Sequence, residues 1–418
     1  MDIKITPASL CGNIEAISSK SDVHRLLIAA ALSDQPTDIL FNIYSKDITA
    51  TLSALSAMGA KAEITPSGAR IEPFRAKTEN PLIDCDECGS TARFLLPVAA
   101  ALFDSATLIG RGSLMSRPFS ALTAVMRENE VNVDRDFLPI TTKGRLRSGR
   151  YEIDGNISSQ YITGLLFALT FLNGESEIIL KTPLQSSGYV DMTLDTLRKF
   201  NINIERTNAG FFIPKDQKYR SPGALTAEGD WSNAAFWLAA GALGEGVTVK
   251  GLSPLSLQKD KQIFTILSSM GANTEQTRDI FTASHNSITA TEIDAGDIPD
   301  IVPVLAAVAS VASGRTFIKN ASRLKIKESD RLTTVYNTLS ALGANIKKTD
   351  DSLIITGRPC LHGGIVDGAG DHRIVMSAAI AASVCDNPVI IRGADAVDKS
   401  YPNFFEHYNK LGGKADVL

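Results

Sequence analysis

The chain repeats itself, and the period limits what it can fold into. Leu-Ser-Ala-Met-Gly-Ala-Lys-Ala at Leu55–Ala62 returns as Leu-Ser-Ala-Leu-Gly-Ala-Asn-Ile at Leu339–Ile346, each closing a segment whose apolar residues have helical spacing. Weaker copies close segments at Met126–Val133, Leu197–Ile204, Leu267–Thr274 and Tyr408–Ala415. Successive copies lie about 70 residues apart, longer than the usual solenoid periods, so each unit reads as a small α/β module. An alternating stretch such as Gly210–Ile213 or Ser352–Ile355 follows each of the first five and reads as strand. Six modules over 418 residues divide into two domains of three, with a crossover at Glu228-Gly229-Asp230 ahead of a helix over Ser232–Leu243. No Pro- or Ser-rich linker separates them, which predicts a tight hinge.

The bulk numbers exclude several functions. The length exceeds one ordinary core, in agreement with two domains. A net charge of −4 argues against general binding to nucleic acid or anionic membrane, so an anionic ligand needs a local basic cleft. The longest apolar run, Ile301–Ala312, contains Pro303 and is too short to span a bilayer. Met1–Ile5 reads as a strand without the plan of a signal peptide, and five cysteines give no disulfide framework, so a reducing cytoplasm is expected.

Chemistry-bearing residues recur at helix starts. Lys325-Ile326-Lys327-Glu328-Ser329-Asp330-Arg331 precedes the helical series Leu332, Val335, Tyr336, Leu339 and Leu342. The spacing predicts a first turn with Lys327 and Arg331 on one face, beside N–H groups that lack intrahelical partners. Glu328 is then an acid among cations; a solvated helix start with local ion pairs is the competing reading. Ser21 reads as the N-cap of the helix after Ser19–Arg25, with Lys20 before it, Arg25 one turn inside, and His24 as a packing histidine. Cys85-x-x-Cys88 lacks a second Cys or His pair, which favours two reduced core thiols. Its useful part is Gly89-Ser90-Thr91 with Arg93, where backbone can approach a ligand closely. Arg117-Pro118, Ser158-Ser159-Gln160 and Ser186-Ser187-Gly188 open further helices, and their hydroxyls either cap or read ligand oxygens. Asp300 reads as the cap of an apolar helix, and Asp371-His372-Arg373 and Lys399-Ser400-Tyr401-Pro402 introduce the last two. Parallel packing of the modules gathers these ends, and two such domains facing each other make a cationic cleft. Such a cleft suits small ligands rich in phosphate and carboxylate.

In their order these motifs resemble those of the EPSP synthase family, the 3-phosphoshikimate 1-carboxyvinyltransferases, over essentially the whole chain. The resemblance implies an α/β fold of two similar domains, each of three βαβαββ repeats in an inside-out α/β barrel, joined by a two-strand hinge. The N-terminal domain would span 18–228, and residues 1–17 plus 229–418 would form the C-terminal one, with Ile3–Thr6 pairing there. It also implies transfer of the enolpyruvyl group of phosphoenolpyruvate to the 5-hydroxyl of shikimate 3-phosphate, with release of phosphate. No metal, organic cofactor, nucleic-acid or membrane partner is implied, and the family expectation is a monomer.

Residue by residue, the resemblance casts Asp300 as the base for the 5-hydroxyl and Glu328 as the acid that protonates the methylene carbon of phosphoenolpyruvate. Lys20 would neutralise the transferring phosphate, and His372 would support the acid. Gly89, Arg117, Arg331, Arg373 and Lys399 would hold phosphoenolpyruvate, with Gln160 between the ligands. Ser21, Arg25, Ser158, Ser159, Ser186 and Lys327 would hold shikimate 3-phosphate, which Lys20 and Asp300 also touch. Three positions depart from the pattern: Glu87 stands where many relatives carry Asn, Phe94 where they carry Pro, and Arg323 where they often carry Asn. The sister family acting on UDP-N-acetylglucosamine usually carries a reactive Cys before the Arg-Pro motif, whereas Asp104–Ser116 has none. An RNA-end-processing protein of similar repeats would not need Asp300, Glu328 and a ring of Arg and Lys together, and the acidic balance disfavours RNA.

Overall fold

The computed structural model of the protein describes residues 1–75 and 78–418. Among the described residues the strands form six four-stranded sheets of one plan. An edge strand runs parallel to the second, and the third and fourth continue antiparallel, as in Leu82–Asp84, Ser105–Ile109, Ile140–Lys143 and Asn132–Val133. A parallel pair needs a crossover, and the helix Gly89–Leu102 supplies it here.

The repeat read from the sequence is a helix stop. In all six copies the residue five places on returns its N–H to the carbonyl of the first: Ala60 to Leu55, Val131 to Met126, Ile202 to Leu197, Ala272 to Leu267, Ala344 to Leu339 and Gly413 to Tyr408, at 2.9–3.1 Å. That closure requires one left-handed residue. Gly59, Gly271, Gly343 and Gly412 provide it in four copies, and Glu130 and Asn201 adopt positive φ in the other two. The two copies that lack glycine at this point are weak in sequence because the turn is kept and its usual residue is not.

The chain divides into two compact units, Lys20–Ala227 and Met1–Ser19 with Glu228–Leu418. Each holds three sheets and three helices that are buried almost throughout: Lys20–Leu32, Gly89–Leu102 and Ser159–Leu169 in one, Trp231–Leu243, Val302–Ala309 and His372–Ala382 in the other. A helix apolar on all sides belongs inside a core, which explains their lack of an apolar stripe. Helices exposed on one face, such as Ser120–Glu128 and Arg331–Ala341, surround them. The N-terminal strand Ile3–Thr6 lies inside the last sheet, between Val389–Arg392 and Lys414–Val417. Where the chain passes between units its two segments pair: Ser18 bridges Gly229, and the Ser19 N–H donates to Glu228 O at 2.7 Å. Among the described residues no helix is long and apolar enough to cross a membrane.

Candidate active site

In the unit containing the C-terminus, three helix starts converge on one guanidinium. Arg331 opens the helix Arg331–Ala341 and is 1% exposed. Its Nε and Nη2 donate to both oxygens of Asp371, at 2.8 and 3.1 Å. Nη2 also donates to Glu328 Oε2 at 2.7 Å, and Nη1 to Asp300 Oδ1 at 2.6 Å. Four of the five guanidinium N–H groups therefore serve three carboxylates. Burial works to lower the Arg331 pKa, but Asp371, Glu328 and Asp300 together hold it well above its ordinary value. Lys327 Nζ adds a bond to Asp300 Oδ1 at 3.1 Å, so two cations meet on one oxygen. Burial lowers the Lys327 pKa, Asp300 opposes that, and Arg331 adds to it.

Three expectations are corrected in this unit. The run at 325–331 is not a first turn: Ser322–Ile326 is a 3-10 helix, and Asp330 caps the α-helix by accepting from Thr333 N at 3.2 Å. Lys327 and Arg331 consequently share no helical face, yet both reach Asp300. Asp300 itself caps nothing. The helix Val302–Ala309 starts from Ile301 without a side-chain cap, because the Asp300 carboxylate is drawn to Lys327 and Arg331. His372 Nδ1 stands 3.9 Å from Asp371 Oδ1, beyond hydrogen-bond reach. Arg373 donates from Nη1 to Ser232 O at 2.8 Å and lies over the Phe236 ring, and Lys399 Nζ donates to Gly370 O at 2.9 Å.

Sequence reasoning left out the buried acids behind this set. Asp371 is fully buried; it caps His372–Ala382 through Arg373 N and accepts from Ser329 Oγ at 2.9 Å. Asp260 is buried and hydrogen-bonded by the Ser232 hydroxyl. Burial first, and then Asp300, push the Asp260 carboxyl up to about 7. The signal for Asp371 was its place before His372-Arg373, whereas Asp260 left no local signal.

In the other unit the helix Lys20–Leu32 begins one residue before Ser21, so Ser21 is in the first turn and is not its cap. The chain enters this helix straight from the paired segments at Ser18 and Ser19, which removes the room for a capping loop. Lys20 Nζ bonds Asp47 Oδ2 at 2.6 Å. Arg25 is buried: Nε donates to Thr193 Oγ1, Nη1 to Ser21 O and Nη2 to Tyr189 O, at 2.6–2.9 Å, and the guanidinium lies over Phe94. Three of its five N–H groups are thereby committed within the unit.

Gly89 opens its helix beneath two arginines. A Cβ there would stand 2.5 Å from Arg93 Nη1 and 2.8 Å from Arg117 Nη1, so the missing side chain makes room for both guanidinium groups. Arg93 donates to Gln160 Oε1 at 3.0 Å, and Gln160 Nε2 donates to Ser90 Oγ at 2.9 Å, tying the starts of Gly89–Leu102 and Ser159–Leu169 together. Pro118 stands two residues ahead of the helix that opens at Ser120, and its carbonyl accepts from Tyr161 Oη at 2.7 Å. Ser158 caps Ser159–Leu169 by accepting from Gln160 N at 3.3 Å, and Ser159 is buried. Ser186, also buried, caps the helix Ser187–Lys199 by position with φ 52°, ψ 45° and no side-chain capping bond. A left-handed serine is strained, and such residues cluster where a ligand is held. Glu87 lies by Gly112, where a Cβ would fall 2.5 Å from its carboxyl carbon.

Six modules of one topology, with cations and carboxylates collected at their helix starts, define a repeat-built α/β protein fitted to small polyanionic ligands. The family model described as EPSP synthase (3-phosphoshikimate 1-carboxyvinyltransferase) matches residues 5–408. A 3-phosphoshikimate 1-carboxyvinyltransferase of Clostridium novyi (strain NT) is 42% identical, covering 99% of this chain and 98% of that one. The enzyme of that name from Clostridium acetobutylicum is 42% identical, covering 98% and 97%. An EPSP synthase structure from Acinetobacter baumannii covers both chains fully with a TM-score of 0.83 at 22% identity. The enolpyruvyl transferase NikO from Streptomyces tendae gives 0.81 at 19%, covering 99% of this chain and 98% of that one; both likenesses speak for the fold. The chain belongs to the EPSP synthase family.

Proposed function

We propose that this chain transfers the 1-carboxyvinyl group of phosphoenolpyruvate to the 5-hydroxyl of shikimate 3-phosphate. The observation that carries the reading is the pairing of Asp300 and Glu328 on the single guanidinium of Arg331. Addition of an alcohol to an enol phosphate needs a base for the hydroxyl and an acid for the methylene carbon, and two carboxylates held close together can supply both.

In the first half Asp300 takes the hydroxyl proton as the oxygen bonds to the central carbon, and Glu328 gives its proton to the methylene carbon. The product is a tetrahedral ketal with a methyl group. In the second half the carbon–oxygen bond to phosphate breaks, the phosphate takes the proton held by Asp300, and the Glu328 carboxylate takes back a methyl proton as the double bond is restored. Fixed cations stabilise the departing phosphate without reorganising, and Lys20, Arg117, Arg373 and Lys399 have that part. Gly89 leaves space for Arg117, and Gln160 lies between the ligands. Ser21, Arg25, Ser158, Ser159, Ser186 and Lys327 receive shikimate 3-phosphate, and His372 supports the acid. A monomer in a reducing cytoplasm belongs to the same proposal, with five free cysteines in its favour.

The purified protein is expected to release phosphate from phosphoenolpyruvate only when shikimate 3-phosphate is added. Turnover with UDP-N-acetylglucosamine in its place would overturn the substrate assignment.

A further inference from the structure

The Cys-x-x-Cys element is not absorbed by this chemistry, and the fold gives one of its thiols new neighbours. Cys88, His24 and Asp47 come from three helix starts of one unit, and one ligand-type atom from each lies within 4.8 Å of the others. His24 and Cys88 are both 1% exposed. His24 Nε2 stands 3.9 Å from Cys88 Sγ. That is close to the separation of a nitrogen and a sulfur on one tetrahedral zinc, about 3.6 Å from the usual bond lengths. The imidazole is already oriented for such a role. Its Nδ1 shares a 2.7 Å hydrogen bond with Thr51 Oγ1, whose hydroxyl in turn meets Thr91 Oγ1 at 2.6 Å. A hydroxyl on one ring nitrogen fixes the other toward the thiol, as outer partners of metal-binding histidines do.

We infer that His24, Asp47 and Cys88 form a binding site for a soft divalent cation of the zinc class, and that occupancy takes Asp47 away from Lys20.

The chemistry balances with one proton. Burial, with Lys20 and Arg25 adding to it, keeps the His24 pKa well below its ordinary value, so its lone pair is available at neutral pH. Burial first, then Asp47, push the Cys88 thiol up to about 12. Metal entry converts the thiol to a metal-bound thiolate and releases one proton to solvent. Lys20 and Asp47, with side chains 14% and 12% exposed, are the solvent side of the cluster and the route of entry. Three protein ligands leave a fourth position for water. The cation and the Lys20 ammonium compete for one carboxylate, so occupancy releases Lys20 from its 2.6 Å pairing. The inhibitory consequence rests on the proposed role of Lys20 in holding the transferring phosphate; the binding itself does not.

The test uses full-length protein carrying Cys11→Ser and Cys360→Ser, which removes the two thiols that are not buried. Cadmium chloride, titrated while thiolate-to-cadmium ultraviolet absorption is followed, is expected to fill one site. Cys88→Ser, which keeps an acceptor at the helix cap, is expected to abolish that absorption, while Cys85→Ser retains it. His24→Gln, checked for an unchanged circular dichroism spectrum, is expected to weaken binding by at least tenfold. Zinc chloride is expected to slow phosphate release, reversibly with a chelator, and to lose that effect in Cys88→Ser. No absorption, or absorption that survives Cys88→Ser, overturns the site. Cadmium absorption without zinc inhibition leaves the site standing and overturns the competition with Lys20.

Discussion

The Arg331 guanidinium and the Asp371 carboxylate meet through two hydrogen bonds, 2.8 and 3.1 Å long, with side chains 1% and 0% exposed. Asp371 thereby holds the group that in turn holds Asp300 and Glu328. Removal of one partner strands a buried charge. Asp371→Ala is expected to lower the unfolding free energy of its unit by about 3–5 kcal/mol, measured by urea denaturation. A loss below 1 kcal/mol would show that water or another acid replaces it.

Asp300 and Glu328 lie at the edge of that network, and each takes a bond that Arg331 can surrender at lower cost than the Asp371 pair. Asp300→Ala and Glu328→Ala should each cut turnover about 100- to 10,000-fold, the scale of one aligned acid or base. Their denaturation midpoints should change less than that of Asp371→Ala. A near-normal rate in either variant returns that carboxylate to a purely structural role.

Gly89 tests the arginines through space. The methyl group of Gly89→Ala must push Arg93 or Arg117 aside, since both guanidinium groups lie within 3 Å of its position. The Michaelis constant for phosphoenolpyruvate is expected to rise about 10- to 100-fold, the scale of one hydrogen bond to a charged group. That for shikimate 3-phosphate should move less. An unchanged constant would remove Arg117 from the phosphoenolpyruvate subsite.

Asp260 sets a pH dependence of stability. Burial, then Asp300, raise its carboxyl to about 7 in the folded protein, against an ordinary value near 4. Between those values the folded state keeps a proton that the unfolded chain releases. Its contribution is therefore complete below pH 4 and is lost as pH rises through about 7, with a slope of at most about 1.4 kcal/mol per pH unit. Asp260→Asn does not titrate and is expected to flatten the denaturation midpoint over that window. An equal slope in both proteins rules this out.

The modular fold was legible because each repeat ends in a backbone closure that needs a left-handed residue, and glycine marks it in four copies of six. Charged helix starts were legible too, since local spacing reveals them. Asp300 was misread as a cap because capping is decided within a few residues, whereas its partners Lys327 and Arg331 lie 27 and 31 positions away. Asp47 and Asp260 were overlooked for a related reason, and the bonds from Arg331 to Asp371 were hidden in the same way. A carboxylate with a distant cationic or hydroxyl partner looks like any surface acid until the chain is folded. The His24 and Asp47 neighbours of Cys88 are hidden in the same way, since ligand spacing shows only along the chain and these three meet across helices.

The placement of Ile3–Thr6 within the final sheet bears on biogenesis. As the ribosome delivers the chain, residues 20–227 can complete their three sheets from contiguous material. Ile3–Thr6 must wait longest, because its flanking strands at Val389–Arg392 and Lys414–Val417 emerge far later, whereas Cys11–Glu15 pairs already with Gly246–Lys250. A nascent chain halted with residues 20–227 clear of the ribosome should thus carry one finished lobe and an unpaired Ile3–Thr6, and the last sheet closes only after Lys414–Val417 has emerged.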